Sequence, residues 1–229
     1  MEKGSGRRLK SAVLSLLRLE SYPLCLTSIG EFPLRQVVNP LFSFLYHGDS
    51  LVRWRAVSAM GEVVSRLADQ DMESARVVMR RFMWNLNDES GGIGWGSPES
   101  MGEITRRHSR LADEYGRLLE SYIREDGNYL EHPDLQAGAL WGLSRLAHKR
   151  PHLVQTAAPH LKPFLSSGIS TLRGLSVWAS QALPHPSLIP DIERLIHDHT
   201  PIRIYMDGEF MDFQISRLSA TAKKRLENI

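Results

Sequence analysis

The sequence predicts an all-α fold, an α-α superhelix of stacked helix pairs with a small C-terminal β-hairpin. Three observations carry this. Helical periodicity recurs through most of the chain with a repeat near 40 residues. A small residue returns at one place in each repeat. Close to the C-terminus the apolar period switches from helical to alternating, around an Asp-Gly pair.

The repeat is clearest in "SLVRWRAVSAMGEVVSRLA", residues 50–68. After a Ser50 N-cap, Val52, Ala56, Ala59, Met60, Val63 and Leu67 fall on one helical face. Sliding this segment along the chain aligns "LQAGALWGLSRLA" and, less closely, "LRGLSVWASQAL". The segment "IGWGSPESMG" joins the same register, with Trp95 on Trp54, Met101 on Met60 and Gly102 on Gly61. The anchors are Gly61, Gly102, Gly142 and Ala179, spaced 41, 40 and 37 residues apart. Such spacing suits two helices and two turns.

Each anchor helix follows another apolar-periodic segment. "PLRQVVNPLFSFLYHGD" carries Pro40 inside it, and "LVQTAAPHLKPFLSSG" carries Pro159 at the matching place. An internal proline removes one helix hydrogen bond and bends the helix. "ESARVVMRRFMWNLND" and "LADEYGRLLESYIRED" supply the first helices between them.

Paired helices of this length, with proline in the first and "DSLVRWRAVSAMG" opening the second, resemble HEAT repeats. Asp49, Val52, Arg53, Ala56 and Gly61 carry the resemblance best, over about residues 33–183. It implies a curved solenoid whose repeats stack on their neighbours. The stretch "WNLNDESGGIGWGSPESMGE" also resembles the signature of an uncharacterised bacterial group of HEAT-like proteins, which implies no activity. One continuous domain is expected. Residues 1–32 form N-terminal capping helices, 33–199 the HEAT-like repeats, and 200–229 the β-hairpin with a final helix near 217–227.

Composition is ordinary for a globular chain, with 42% apolar and 24% charged residues. A net charge of +2 supplies no global field for nucleic acid or membrane. The arginine pairs Arg80-Arg81 and Arg106-Arg107 read as solvated helix faces, with a polyanion site as the sharper alternative. The single cysteine, Cys25, rules out an internal disulfide and reads as a small buried apolar residue. No apolar run reaches the ~18–20 residues of a membrane span, so a cytoplasmic location without membrane attachment is expected.

Two stretches break the period. Between the second pair of helices the chain takes "NDESGGIGWG" where other repeats use a short polar turn. The helix start is delayed to Ser97, read as N-cap, with Pro98 at the first helical position. Gly91, Gly92, Gly94 and Gly96 permit positive φ or close backbone approach, at about 0.5–1 kcal/mol each relative to alanine in regular structure. Two readings stand open. Trp84 and Trp95 are either wedges that fill the gap between repeats or the flat walls of a binding site. In the second reading Trp84, Asn85, Asn87, Glu89, Ser90, Gly91, Gly92, Trp95, Ser97, Glu99 and Glu103 are the candidate binding residues. The N–H groups after Ser97 suit an anionic group, with Glu89 of the same loop as one candidate. Glu99 and Glu103 lie one turn apart on one face, which is more often a solvated carboxylate pair than an acid–base couple. "GGIGWG" lacks the ending of a Walker loop and the strand of a dinucleotide fingerprint.

The second break is "PIRIYMDGEFMDFQISRL". Pairing across Asp207-Gly208 sets Ile202 opposite Phe213, Ile204 opposite Met211, and Tyr205 opposite Phe210. The hairpin is marginal alone and must be covered, which places it as a cap over the last helices. Nine histidines, including His197 and His199, show no metal-binding spacing, so no metal or cofactor is expected.

The leading expectation is a non-catalytic HEAT-repeat binding or scaffold protein. It would engage a protein partner, or a small ligand, through its concave face and the 84–103 segment; duplex DNA is not expected. The resemblance also implies an alternative, since some HEAT-like proteins are alkylated-base DNA glycosylases or bilin lyases. A purely structural assembly role is the third reading.

Overall fold

The computed structural model describes residues 3–87 and 94–227. Its helices are α1 (Lys3–Leu17), α2 (Tyr22–Gly30), α3 (Leu34–Phe44), α4 (Ser50–Gln70), α5 (Met72–Asn87), α6 (Ser97–Arg107), α7 (Ser109–Ser121), α8 (Pro133–Lys149), α9 (Lys162–Leu165), α10 (Ser170–Ser180), α11 (Ile189–Leu195) and α12 (Ile215–Leu226). Two strands, β1 (Pro201–Met206) and β2 (Glu209–Gln214), form an antiparallel hairpin.

The predicted pairs are present as α3/α4, α5/α6 and α7/α8, and the second helices α4, α6, α8 and α10 stack into a continuous inner row. The core lies between this row and the first helices. Val37, Leu41, Met60, Met79, Phe82, Met101, Leu119, Leu140 and Leu146 are all fully enclosed there. Phe42 of α3 meets Phe82 of α5 at 4.6 Å, and the Arg81 guanidinium lies 3.8 Å above the Phe42 ring. Cys25 is buried, and burial pushes its thiol up to about 11, so it behaves as an apolar filler.

The anchors do the same work in successive repeats. Gly61 faces the Cβ of Glu103 on α6. A Cβ at Gly102 would lie 2.3 Å from the Gly142 Cα, and one at Gly142 would lie 2.5 Å from the Pro98 carbonyl oxygen. Helices α6 and α8 therefore touch backbone to backbone. Ala179 is fully buried at the equivalent place in α10.

Local details correct the sequence reading in four places. Helix α4 is capped by Asp49, not Ser50; the Asp49 carboxylate accepts from the N–H groups of Leu51 and Val52. Helix α6 is entered through Gly96 at φ +75°, with Ser97 already helical and Pro98 one place further in. Ser97 is fully buried and makes no capping bond, because the turn that seats Gly96 against Leu45 carries Ser97 into the helix. The first helix expected around Pro159 is instead two 3₁₀ turns, 151–153 and 155–161, leading into the single turn of α9. Pro151, Pro159 and Pro163 remove donors too frequently for an α-helix to propagate. The last helix begins at Ile215, directly off the strand, rather than near Arg217.

The hairpin register is the predicted one, with Arg203 ion-paired to Asp212 across it. Its position is not that of a cap over the last helices alone. Ile202 packs where a side chain at Gly174 of α10 would stand, and Tyr205 stacks on Trp54 of α4 at 5.1 Å. The tip at Gly208 closes onto Tyr22 of α2. The hairpin thus runs back along the inner row from α10 to α2. Strand β1 is the buried strand, with Ile204 and Tyr205 enclosed on opposite faces, while Met211 of β2 stays 43% exposed. Of the pair Ile204 and Met211, only Ile204 is covered.

Backbone contact between α6 and α8 leaves no room for a methyl group. Gly102→Ala is expected to cost about 3 kcal/mol of unfolding free energy. Gly168→Ala, at a site with open space around it, should stay within about 0.5 kcal/mol of the parent. Urea denaturation of both variants checks this, and equal effects would rule out the tight α6/α8 contact.

Candidate functional site

The inner row and the hairpin enclose a cavity of about 390 Å³. Its walls are Trp54 and Val57 of α4, Trp95 and Glu99 at the start of α6, Gly138 and Trp141 of α8, and Ile204 and Tyr205 of β1. Arg53, Asp134, Thr171 and Arg203 stand around it as exposed side chains.

Each wall follows from the local sequence. Trp54 in α4 and Trp95 in the turn just before α6 occupy corresponding places in successive repeats, so stacking the repeats brings both to the inner face. Trp54 meets Trp141 edge-on at 4.7 Å and stacks on Tyr205. The Trp141 indole N–H donates to the backbone carbonyl of Tyr205 at 3.0 Å, which satisfies an outward-facing group of the β1 edge. The Tyr205 hydroxyl lies 3.1 Å from Ser58 Oγ. Trp95 is held by two glycines. A Cβ at Gly94 would collide with the Asn85 carbonyl at 2.9 Å, and Gly96 takes the left-handed conformation that other residues resist.

Glu99 and Glu103 both point toward α8, and neither is the solvated pair expected from their spacing. Glu103 is fully enclosed and surrounded by cations. Arg145 Nε donates to it at 2.5 Å and Arg107 Nε at 3.2 Å, while Arg106 lies 3.7 Å away. Arg145 also reaches Asp207 at the hairpin tip at 2.5 Å, so one guanidinium links α6, α8 and the hairpin. Arg55 adds a second tie, donating to the carbonyls of Leu17, Leu19 and Gly208.

Glu99 has none of this. Its Oε2 is sealed from solvent and has no hydrogen-bond partner. Space for the carboxyl exists only because residue 138 is glycine; a Cβ there would lie 2.6 Å from it. Desolvation raises its pKa to about 7, against smaller lowering effects from its own backbone N–H and from Arg53, with Asp134 raising it further. Ser97 Oγ and Ser100 Oγ in the same first turn are also enclosed without a partner.

The structure thus divides the residues singled out from the sequence. Trp95 and Glu99 line the cavity, and Ser97 and Glu103 flank it on α6. Trp84 does not meet Trp95 across a pocket; it projects from the end of α5, 74% exposed. Asn85 and Asn87 close α5 beside it. Glu89, Ser90, Gly91 and Gly92 lie outside the described residues. Trp141, Tyr205, Arg53 and Asp134 were not among the candidates, although the equivalence of Trp54 and Trp95 in the repeat was a readable sign that aromatics converge. Of the arginines considered for a polyanion, Arg80 is paired with Glu73, Arg106 with Glu103 and Asp207, and Arg107 with Glu62 and Glu103. Arg81 donates to Asn39 and lies over the Phe42 ring. His47, His108, His132 and His185 accept backbone N–H groups through Nδ1 at or near helix starts. Among the described residues no group of three or more His, Cys, Asp or Glu could hold a metal ion, and no helix is long and apolar enough to cross a membrane.

No family model matches the chain. An uncharacterised protein of Archaeoglobus fulgidus is 35% identical over 88 residues, which cover 37% of this chain and 45% of that protein. The chain thus matches less than half the length of that relative. Among solved structures, a designed armadillo repeat protein in complex with the peptide (KR)4 aligns with a TM-score of 0.55 at 14% identity, over 94% of this chain and 98% of that one. A computationally designed armadillo repeat protein for modular peptide recognition aligns at 0.52 and 13% identity, over 93% and 98%. An engineered protein aligns at 0.55 and 13% over the full length of both chains. The fold is that of a HEAT/armadillo-like α-solenoid.

Glu99 gives the site a pH signature. Between pH 4.5, the ordinary value, and about 7 the folded chain keeps a proton that the unfolded chain has lost. Stability therefore falls as pH rises through that window, by about 3 kcal/mol in total. Glu99→Gln carries no such loss. Relative to the parent, it should gain about 2–3 kcal/mol between pH 4 and pH 8 in denaturant titrations. A pH-independent difference would mean that the carboxyl is hydrated.

Proposed function

We propose that this chain is a non-catalytic binding module whose functional surface is the inner-face cavity together with the Trp84–Glu103 segment beside it. The observation that carries the reading is the aromatic cavity lined by Glu99, whose buried Oε2 no described residue bonds, placed where the repeat is interrupted. A purely structural filler would close its gaps and pair its buried polar atoms. The volume, near 390 Å³, is in the range of ligand pockets. The occupant is a compact group, either a side chain of a protein partner or a small ligand. Strand β1 already takes much of the inner row, so an extended partner segment would have to displace it. Trp84, exposed on the neighbouring helix end, offers an apolar contact to the body of a protein partner.

The enzymatic alternative has one observation in its favour, since aromatic walls around a carboxyl also suit an extruded base. Against duplex DNA stand the net charge of only +2 and the pairing of Arg80 and Arg107 with carboxylates. Incubation with an alkylated duplex should release no base and leave no abasic sites.

The binding reading is tested by Trp95→Ala and Trp84→Ala in affinity capture from the native host, with mass spectrometry of retained proteins and small molecules. Trp95→Ala should lose at least tenfold of the retained species while the melting temperature changes little. A large fall in melting temperature with retention intact would make Trp95 a structural wedge and end the proposal.

A further inference from the structure

Helix α6 carries two glutamates one turn apart, and the protein treats them oppositely. Glu103 is supplied with three arginines from the chain itself. Glu99 is equally shut away at Oε2, yet no cationic side chain bonds it. Glu99 lines the cavity, and its carboxyl lies in the space that a side chain at residue 138 would fill. Burying a carboxyl without a partner is costly, so folded proteins rarely leave one unless something else completes it.

The charges facing the carboxyl come from each neighbouring element. From α4 there is Arg53, exposed and outside hydrogen-bonding reach of Glu99; from α8 there is Asp134, a second carboxylate; from β1 there is Arg203, already neutralised by Asp212. The lining is therefore weakly acidic. The remaining wall is aromatic, formed by Trp54, Trp95, Trp141 and Tyr205. Faces of such rings attract cations and tolerate flat or alkyl groups, but offer nothing to an anion.

Resting on the reading of the cavity as the binding site, we infer that its occupant carries a cationic nitrogen, a guanidinium or ammonium, that pairs with Glu99 while its body lies against the tryptophans. The group would do for Glu99 what Arg145 does for Glu103. Its source is either a side chain of a partner peptide or a free small amine. Because the empty site holds a proton on Glu99 below about pH 7, loading the cation there releases that proton. Above that pH the release fades.

The test uses the whole chain and three probes of one shape: benzamidinium, neutral benzamide and anionic benzoate. Binding is read by tryptophan fluorescence and by calorimetry in buffers of different ionisation enthalpy. At pH 8 benzamidinium should bind at least tenfold more tightly than benzamide, with benzoate weakest. At pH 6 its binding should release close to one proton. Glu99→Gln should bring benzamidinium and benzamide within about threefold of each other, as expected when a charge-assisted bond is lost. Gly138→Ala, which pushes a methyl into the carboxyl without changing charge, should reduce the preference as well. Trp95→Ala should weaken both probes alike.

If benzamide binds as well as benzamidinium, and Trp95→Ala weakens both, the cavity is a binding site and the cationic inference is wrong. If no probe binds, both fall. A short glycine peptide with a central arginine is then compared with agmatine. Tighter peptide binding assigns the cation to a protein partner, and tighter agmatine binding to a free amine.

Discussion

The backbone contact between Gly102 and Gly142 sets the spacing on which the rest of the inner face depends. Helix pairs in a solenoid are usually held apart by their side chains, at interaxial distances of about 8–10 Å. Here two glycines face each other, and the Pro98 carbonyl lies where a Cβ of residue 142 would be. Close approach brings Glu103 within direct reach of Arg145, and it lets Glu99 enter the space above Gly138. A wider gap would put water between these groups, and the burial that separates the two glutamates chemically would be lost. One steric constraint thus becomes an electrostatic one.

The hairpin completes that enclosure. Isolated two-stranded hairpins are marginal in water, and this one is stabilised by what it covers. Its tip is tied by Arg145 through Asp207 and by Arg55 through the Gly208 carbonyl, while its edge is satisfied by Trp141. The Arg145–Glu103 pair is buried, so removal of one partner would leave an uncompensated charge in a dry site. Hairpin docking and the ordering of α6 against α8 are consequently coupled through a single guanidinium, that of Arg145. The inner row, which would otherwise be an open groove, is reduced to a cavity with one strand of the chain's own sequence lying along it.

Much of this was legible in the residues and some was not, for identifiable reasons. The repeat was readable because small residues at 61, 102, 142 and 179 reflect a packing constraint that recurs with each helix pair. The strand register was readable because Asp207-Gly208 leaves one way to pair Ile204 and Tyr205. The fourth first helix was misread because apolar spacing around Pro159 resembles a helix, whereas three prolines in thirteen residues prevent one. The cap of α6 was misplaced because Ser97 is a good capping residue locally, while packing of Gly96 on Leu45 decides the geometry. The aromatic cavity was seen only by half. Trp95 drew notice as a departure from the period, but its other walls come from α4, α8 and β1, and depend on where the hairpin lies. A strand's partner follows from its turn; the surface that it covers does not.

The start of α6 is where local rules and the global fold disagree most. Its entry residue has positive φ, its best capping side chain makes no cap, and Ser97, Glu99 and Ser100 each hide a polar atom without a partner. Elsewhere the same chain satisfies comparable groups closely. Asp49 caps α4, Ser144 and Ser176 bond carbonyls one turn back, and Glu103 is fully paired. Buried polar atoms without a partner also occur singly at Tyr22, Ser65, Glu120, Arg150 and Ser219, whereas three fall together in the first turn of α6. Natural proteins accept such local inconsistency mainly at sites where something other than folding is selected. Glycines at 94, 96 and 138 add to the cost, since each loses backbone entropy on ordering where neighbouring atoms leave no room for a side chain. The grouping of three such atoms in one turn, beside an aromatic cavity that Trp95 and Glu99 line, is the feature on which the proposed binding site rests.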